Sequence, residues 1–377
     1  MKKVLIVSYS NLSSDLRVLR QIEALKDNYH LETLAYSECG VSKIINHQIY
    51  KEPTVNYFRK AKRFLQFVFR NWENYYWDEY KKEVALNLNK NNYDIVISND
   101  IQTLPLSISI VGGKGKVYFD AHEYHLLEFD NNLIWRLFHK PYIKFLCKKY
   151  IPKANKFSTV SNVIADTYKK SVGVKPFLLT NAASYIEALP NQVNPNNIKL
   201  IHHGASISSR KIELMIEMMK YVDDRYTLDL MLTDLDLKYL NKLKKLGINN
   251  TKIRFIPPVS SNMICTFINN YDIGIYILPP TNFNNEHALP NKFFEFIQAR
   301  LAIIIAPTEE MKWFILKYEL GLVSNDFKPK TVATLLNSLT PEQIMKFKIN
   351  SHNSAFLLSA EENKNIIRNS ISELLKS

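Results

Sequence analysis

Only nine glycines are spread over the 377 residues. None of them forms GxGxxG behind an apolar run, and no GxxxxGK[ST] occurs anywhere. The glycine-rich turn of a Rossmann dehydrogenase and the phosphate cradle of a P-loop hydrolase are thereby excluded. Cysteine is scarcer still. Cys39, Cys147 and Cys265 lie far apart without a CxxC pair, which excludes a disulfide scaffold or structural zinc site and leaves three small buried hydrophobes. No apolar run approaches the roughly twenty residues that a bilayer-crossing helix needs. The opening MKKVLIVSYS has the basic start of a signal peptide, but its apolar run ends at Ser8 and reads as a first buried strand. The cytoplasm is the expected location. Acidic residues are also in deficit, 36 against 49 basic, for a formal charge of +13. That excess favours an anionic partner: a phosphorylated small molecule, an acidic membrane surface or nucleic acid. Nothing matches an RRM or KH signal, so nucleic acid is not expected.

What is present is a rhythm of short aliphatic runs and helical patterns. Val4–Val7, His30–Tyr36, Asp94–Ser98, Lys116–Phe119, Phe157–Val160 and Phe177–Leu179 are expected strands of a first half. Lys199–His202, Leu228–Leu232, Ile253–Ile256, Asp272–Leu278, Leu301–Ile305 and Gly321–Ser324 repeat the pattern in a second. Nearly all-apolar strands separated by helices imply parallel sheets covered on both faces, with ligands at the carboxyl ends of the strands. The polar stretch Leu189–Asn197 separates the halves. The expected domains are 1–188, 198–350 and a helical tail at 351–377 that could cross back to the first. The fold class is α/β with two Rossmann-like domains. A cleft between the domains is expected to suit a ligand with two chemical parts.

Four blocks carry polar residues where such strands should end. In "HALPNKFFEFIQARLAIIIAP", a helix starting near Asn291 points free N–H groups back at the loop, where a phosphate could sit. Glu295, one turn in, could accept from ribose hydroxyls, or be an exposed acid between hydrophobes. Lys292 could offset phosphate charge or face solvent, and Glu286 could hold a sugar hydroxyl. In "VYFDAHEYH", Asp120, His122, Glu123 and His125 follow a strand. Their spacing is not HExxH, and no metal is expected. "DIVISNDIQTLP" offers Asn99 and Asp100, and Asp100 could equally cap a turn. "KLIHHGASISSRK" offers Gly204 for close approach of backbone to ligand and Arg210 as a planar fork for phosphate oxygens.

These blocks resemble a family. "LPNKFFEFIQARLAIIIAP" is similar to the C-terminal signature of the retaining nucleotide-sugar glycosyltransferases of GT-B architecture, in the group 1 or family 4-like branch active in polysaccharide biosynthesis. The resemblance implies that Glu295 binds the nucleotide ribose and that Arg210, behind the Gly204 loop, binds the donor diphosphate. It adds Glu286, Leu289, Asn291 and Lys292 to the donor side. "DAHE" matches a recurring N-domain motif and implies catalytic-site positions for His122, on the donor sugar, and Glu123. "SSDLRVLRQIEAL" resembles the family's opening helix and, with "NDIQTLP", puts Ser14, Asp15, Asn99 and Asp100 on the acceptor side, with Arg17 a candidate for the cleft. The chain departs from the pattern in two places. Glu286 and Glu295 enclose eight residues where the family has seven, and Arg300 stands where a glycine is common.

The implied reaction is hexosyl transfer, with retention, from a nucleotide-diphosphate sugar, UDP-linked ahead of GDP-linked. The acceptor would be a hydroxyl of a saccharide or polyprenyl-diphosphate-linked molecule, and no cofactor is required. A non-catalytic sugar- or membrane-binding protein on the same fold and a nucleotide-sugar epimerase are the alternatives. Two further segments mix cations with aromatics. Tyr57–Tyr80 holds Arg59, Lys60, Lys62, Arg63 and Arg70 among Phe58, Phe64, Phe67, Phe69 and Trp72, and a run with no acid before Asp166 holds Arg136, Lys140, Lys144, Lys148 and Lys149. Each reads either as an anionic-membrane contact at the inner face of the cell membrane or as a packed helix with a solvated basic side.

Overall fold

The computed structural model describes residues 1–49 and 57–376, and among these the Arg59 side chain lies outside the described set. The chain divides into two compact units, Met1–Thr180 with Asn363–Ser377, and Asn181–Glu362.

In the first unit seven strands form one parallel sheet: β1 (Lys3–Val7), β2 (His30–Ala35), β3 (Ile45–Gln48), β4 (Ile95–Asn99), β5 (Lys116–Ala121), β6 (Lys156–Thr159) and β7 (Phe177–Leu178). Their order is β3-β2-β1-β4-β5-β6-β7, so the winding reverses between β1 and β4. Residues Val4–Val7 are fully buried because helices cover both faces of the sheet. The helix Leu16–Leu25 starts where Asp15 accepts from the Val18 N–H. The last helix, Ala360–Lys376, adds Ile367, Ile371 and Leu374 to the core beneath Val4, Val18 and Ile22. Arg368 Nε donates to Ala24 O at 2.9 Å, and Lys156 pairs with Glu373.

The second unit holds six parallel strands: β8 (Ile198–Ala205), β9 (Tyr226–Thr233), β10 (Ile253–Ile256), β11 (Ile273–Tyr276), β12 (Ala302–Ile305) and β13 (Gly321–Val323). The order is β10-β9-β8-β11-β12-β13, with the reversal between β8 and β11. Gly274 permits the helix Asn291–Gln298 to lie close on β11, since a Cβ there would fall 2.4 Å from the Phe296 ring.

The strand β3 is absent from the expectations above. It is a half-exposed sheet edge with the polar sequence INHQ, so it lacks an apolar run. The helical pattern of Arg210–Lys220 yields a helix only from Glu213, because Ser208–Arg210 is a separate turn closed by Lys211 at φ +51°. The polar Leu189–Asn197 stretch belongs to the second unit. Asn191 Nδ2 donates to Asn269 O at 2.8 Å, and Asn269 Nδ2 donates to Leu189 O at 3.1 Å. No helix among the described residues is long and apolar enough to cross a membrane.

Candidate functional site

In open parallel sheets a ligand sits beyond the carboxyl ends of the strands where the winding reverses. In each unit residues singled out in the sequence lie at carboxyl ends of strands at or next to that point.

In the second unit β8 ends at Gly204 and Ala205, and β11 leads to the helix Asn291–Gln298. Gly204 has φ +123°, and a Cβ there would lie 3.1 Å from Lys292 Nζ and 3.8 Å from Arg210 Nη1. The absence of a side chain thus leaves the space beside both cations unfilled. The turn that carries Arg210 is held by Thr281 Oγ1, which donates to Ser209 O at 3.1 Å.

Lys292 does not face solvent. It is 5% exposed, lies 4.3 Å from the Tyr276 ring centroid, and donates toward His202 Nε2 at 3.3 Å. His202 can accept because its Nδ1–H is committed to Ile275 O at 3.0 Å. Burial, with Arg210 second, pushes the Lys292 ammonium well below its ordinary pKa. Burial and Lys292 likewise push His202 well down, and His203 down to about 3. Lys292 and Arg210 thus stand beside two neutral imidazoles, with Glu295 the carboxylate that acts on the ammonium.

Glu295 lies in the same helix and is 7% exposed, so it is no surface acid between hydrophobes. Its Oε2 stands 3.4 Å from His203 Nε2, close enough for an ion pair. That nitrogen nevertheless has no partner of hydrogen-bond geometry, and with His203 neutral we read the approach as a contact that a further polar group can complete. Of the other expected donor-side residues, Asn291 is exposed at the first turn of the helix. Leu289 is buried with its carbonyl accepting from Asn181 Nδ2 at 3.1 Å. Glu286 is exposed on the short helix Phe283–Glu286.

Arg300 is fully buried at φ +60°. Its guanidinium donates to Gln298 O and Ile186 O, both at 2.6 Å, to His352 Nδ1 at 3.1 Å and to Ala188 O at 3.2 Å. A side chain at a left-handed position costs conformational energy, and this one recovers it as a clamp on the 186–188 segment. It turns the chain between helix and strand, as a glycine would, and does not add a cation to the ligand site.

In the first unit the cluster lies where β4 and β5 end. Asp100 has φ +65° and is held by the His122 N–H at 3.1 Å and His125 Nε2 at 3.3 Å. Burial alone would raise its carboxyl. His122 and His125 overrule it and hold Asp100 well below the usual carboxylate range. His122 Nε2 lies 3.1 Å from Asn99 Oδ1. Asn99 is locked from behind by a reciprocal amide pair with Gln21, 2.9 and 3.0 Å. Asp120 is buried inside β5 and salt-bridged in two places to Arg17, Nε–Oδ2 2.8 Å and Nη2–Oδ1 2.7 Å. Arg17 and Asp120 hold the site's frame and are not open to a ligand. Asp15 spends one carboxylate oxygen as helix cap and the other on Ser10, while Ser14 is exposed and donates to Asn11 O.

Glu123, His125 and Glu128 bring one ligand atom each within 4.8 Å of one another, a set that could hold a cation. Protons already balance it. Burial and the neighbouring Glu128 raise Glu123 to about 8, and His125, despite burial, is raised to about 10 by Asp100 and Glu128. Both groups hold their protons more tightly folded than unfolded, so the stability they contribute is complete at low pH and is lost as pH climbs through about 8 and then about 10. The urea midpoint should fall between pH 6.5 and 9.5, and the gap between wild type and His125→Gln should shrink over the same range. A gap that stays constant would show His125 to be neutral throughout.

His202, His203 and Gln21 were not singled out from the sequence. The adjacent histidines at the end of an apolar strand were the available signal, since a buried pair of imidazoles is unusual without a partner. Gln21 offered none.

No protein-family model matches the chain, and no curated protein sequence matches it. Solved structures do. HepE of Anabaena in complex with UDP aligns over 99% of this chain and 100% of its own, with TM-score 0.71 at 11% identity. Sucrose-phosphate synthase from Thermosynechococcus elongatus aligns over 100% of both chains, with TM-score 0.76 at 10% identity. WaaG, a glycosyltransferase involved in lipopolysaccharide biosynthesis, aligns over 97% of this chain and 99% of its own, with TM-score 0.68 at 14% identity. Identities this low speak for the fold alone. The chain has the GT-B fold, two Rossmann-like domains each built on its own parallel sheet flanked by helices.

Proposed function

We propose that the chain transfers a hexosyl group from a UDP-sugar to a hydroxyl of a saccharide or polyprenyl-diphosphate-linked acceptor, with retention, in cell-surface polysaccharide synthesis. The observation that carries this reading is the corner where Gly204, Arg210 and the buried Lys292 meet, with the buried carboxylate of Glu295 one turn away. A nucleoside diphosphate matches it group by group. Arg210, Lys292 and the first N–H groups of the helix at Asn291 meet the diphosphate. Glu295 accepts from a ribose hydroxyl, and the unpartnered His203 Nε2 bonds the same hydroxyl or its neighbour. The Leu289 backbone and Glu286 take sugar hydroxyls. UDP is preferred because HepE was solved with UDP and with UDP-glucose.

In the reaction the bond between the sugar C1 and the diphosphate oxygen breaks, and the acceptor oxygen bonds to C1. The acceptor proton passes to the leaving phosphate oxygen. Negative charge grows on the diphosphate as the bond stretches, so the two fixed cations stabilise the transition state more than the bound donor. His122, oriented by Asn99 and Asp100, is assigned to the donor sugar. Glu123 is assigned to the catalytic site, with Ser14, Asp15, Asn99 and Asp100 on the acceptor side. We place the enzyme in the cytoplasm, at the inner face of the cell membrane, where polyprenyl-linked acceptors are reached.

UDP should raise the melting temperature more than GDP does. Ligand at a hundredfold excess over Kd stabilises by about 2.7 kcal/mol. Glu295→Ala should weaken UDP by about 10–100-fold, the worth of a hydrogen bond to a charged group. Absence of any shift with both nucleotides would remove the reading. A mass-spectrometric screen of nucleotide sugars against lipid and oligosaccharide acceptors then identifies the product.

A further inference from the structure

The helix Tyr57–Val68 places Tyr57, Ala61, Phe64, Leu65 and Val68 at the i, i+4, i+7, i+8, i+11 spacing of one helical face. In a folded domain such a face is ordinarily the covered one. Here it is open: Tyr57 is 89% exposed, Phe58 80%, Phe64 66% and Leu65 53%. Phe67, on another side of the helix, anchors it, with its ring centroid 5.0 Å from Tyr75 and 5.3 Å from His139. That anchor sets the helix beside the segment that ends in the π-helical turn Trp135–His139. There Leu133, Ile134, Leu137 and Phe138 are each more than half exposed. Exposed Lys60, Lys62 and Arg70 border the first set, and Arg136 and Lys144 the second. Neither 57–72 nor 131–165 contains an acidic residue.

We propose that these two segments form one surface that docks on anionic phospholipid headgroups, with the apolar side chains entering the interface and the cations meeting lipid phosphates. This deepens the membrane-face location given above and rests on that reading for its purpose. The structure favours a membrane over a packed helix, because among the described residues nothing covers the apolar face. Charge favours lipid over a second copy of the chain. Self-association would set the same cations against one another with no carboxylate in either segment to answer them, whereas headgroup phosphates neutralise them.

The test is co-sedimentation of the full chain with vesicles of phosphatidylcholine alone and of an equal phosphatidylcholine–phosphatidylglycerol mixture. Wild type should bind the mixture about tenfold or more tightly than phosphatidylcholine, and raised salt should weaken it. Phe58→Ser with Phe64→Ser should lower binding to the mixture at least about tenfold, the loss expected for two interfacial aromatics. Lys60→Glu with Lys62→Glu should abolish the preference for phosphatidylglycerol. Both variants should keep the UDP-induced thermal shift of wild type, which shows that they fold. Equal binding to both vesicles, or none, overturns the proposal. So does a dimer in light scattering that the aromatic variant dissolves while vesicles are ignored. Vesicle binding without any nucleotide response would instead remove the transferase reading and leave the surface standing.

Discussion

Lys292→Met is expected to lower kcat by about 10²–10³-fold, the cost of removing one fixed donor from a developing oxyanion, while raising the melting temperature. The two effects have one cause. Lys292 is buried against His202 and the Tyr276 ring, with Arg210 as a second cation nearby. Burying an ammonium in such surroundings destabilises the fold, and its depressed pKa records that penalty. Methionine fills a similar volume without charge, so stability should rise by about 1 kcal/mol, roughly 2–4 °C for a domain of this size. A diphosphate reverses the penalty. It should draw a proton onto Lys292, so calorimetry at a pH above the depressed pKa should register proton uptake on UDP binding in wild type and not in the variant. A kcat within about threefold of wild type, against the factor expected of a lost oxyanion donor, would mean that Lys292 does not face the leaving group.

Arg17→Met should act oppositely, on the fold first. Its guanidinium meets Asp120 in two places and also donates to Leu179 O at 2.8 Å. Burial would raise the Asp120 carboxyl, yet Arg17 holds it low. Without Arg17 the carboxylate keeps Gln21 at 2.8 Å and Ser158 at 2.6 Å but loses its counter-charge. Breaking a buried pair from one side costs about 3–5 kcal/mol, or roughly 6–20 °C in this unit. Arg17→Met combined with Asp120→Asn should recover a good part of it, because the remaining group is then neutral. The measurement is urea unfolding of the two variants and wild type. A loss below about 1 kcal/mol in the single variant would show that water reaches Asp120 and that the pair behaves as a surface one. Since Gln21 bridges Asp120 and Asn99, and Asn99 meets His122, the single variant should also displace the histidine assigned to the sugar.

Local pattern carried a long way in this chain. The strands at Val4–Val7 and Leu301–Ile305 are legible because a buried parallel strand is apolar at nearly every position. The burial of Glu295 was not legible in the same way, because an acid amid Phe293, Phe294 and Phe296 could equally have been exposed between hydrophobes, and only the resemblance favoured it. Polar residues just ahead of an amphipathic run mark the helix start near Asp15, but which of Ser13, Ser14 and Asp15 caps it was settled only by the fold.

What stayed hidden depended on partners remote in sequence. Arg17 and Asp120 are 103 residues apart, and each alone passes for a solvent or ligand contact. Arg300 stood out only as a departure from a common glycine until its turn set four hydrogen bonds on the carbonyl groups of 186–188 and 297–298. Lys292 offered phosphate or solvent with equal ease, and folding set it against His202 and Gly204 of β8 and the Tyr276 ring of β11. Composition and periodicity thus determined the two wound sheets and the stretches where chemistry could lie, because hydrophobic burial is written in short-range spacing. Which charges face a ligand and which merely hold the frame was decided by tertiary structure, because the cost of a buried charge depends on neighbours that only folding brings together.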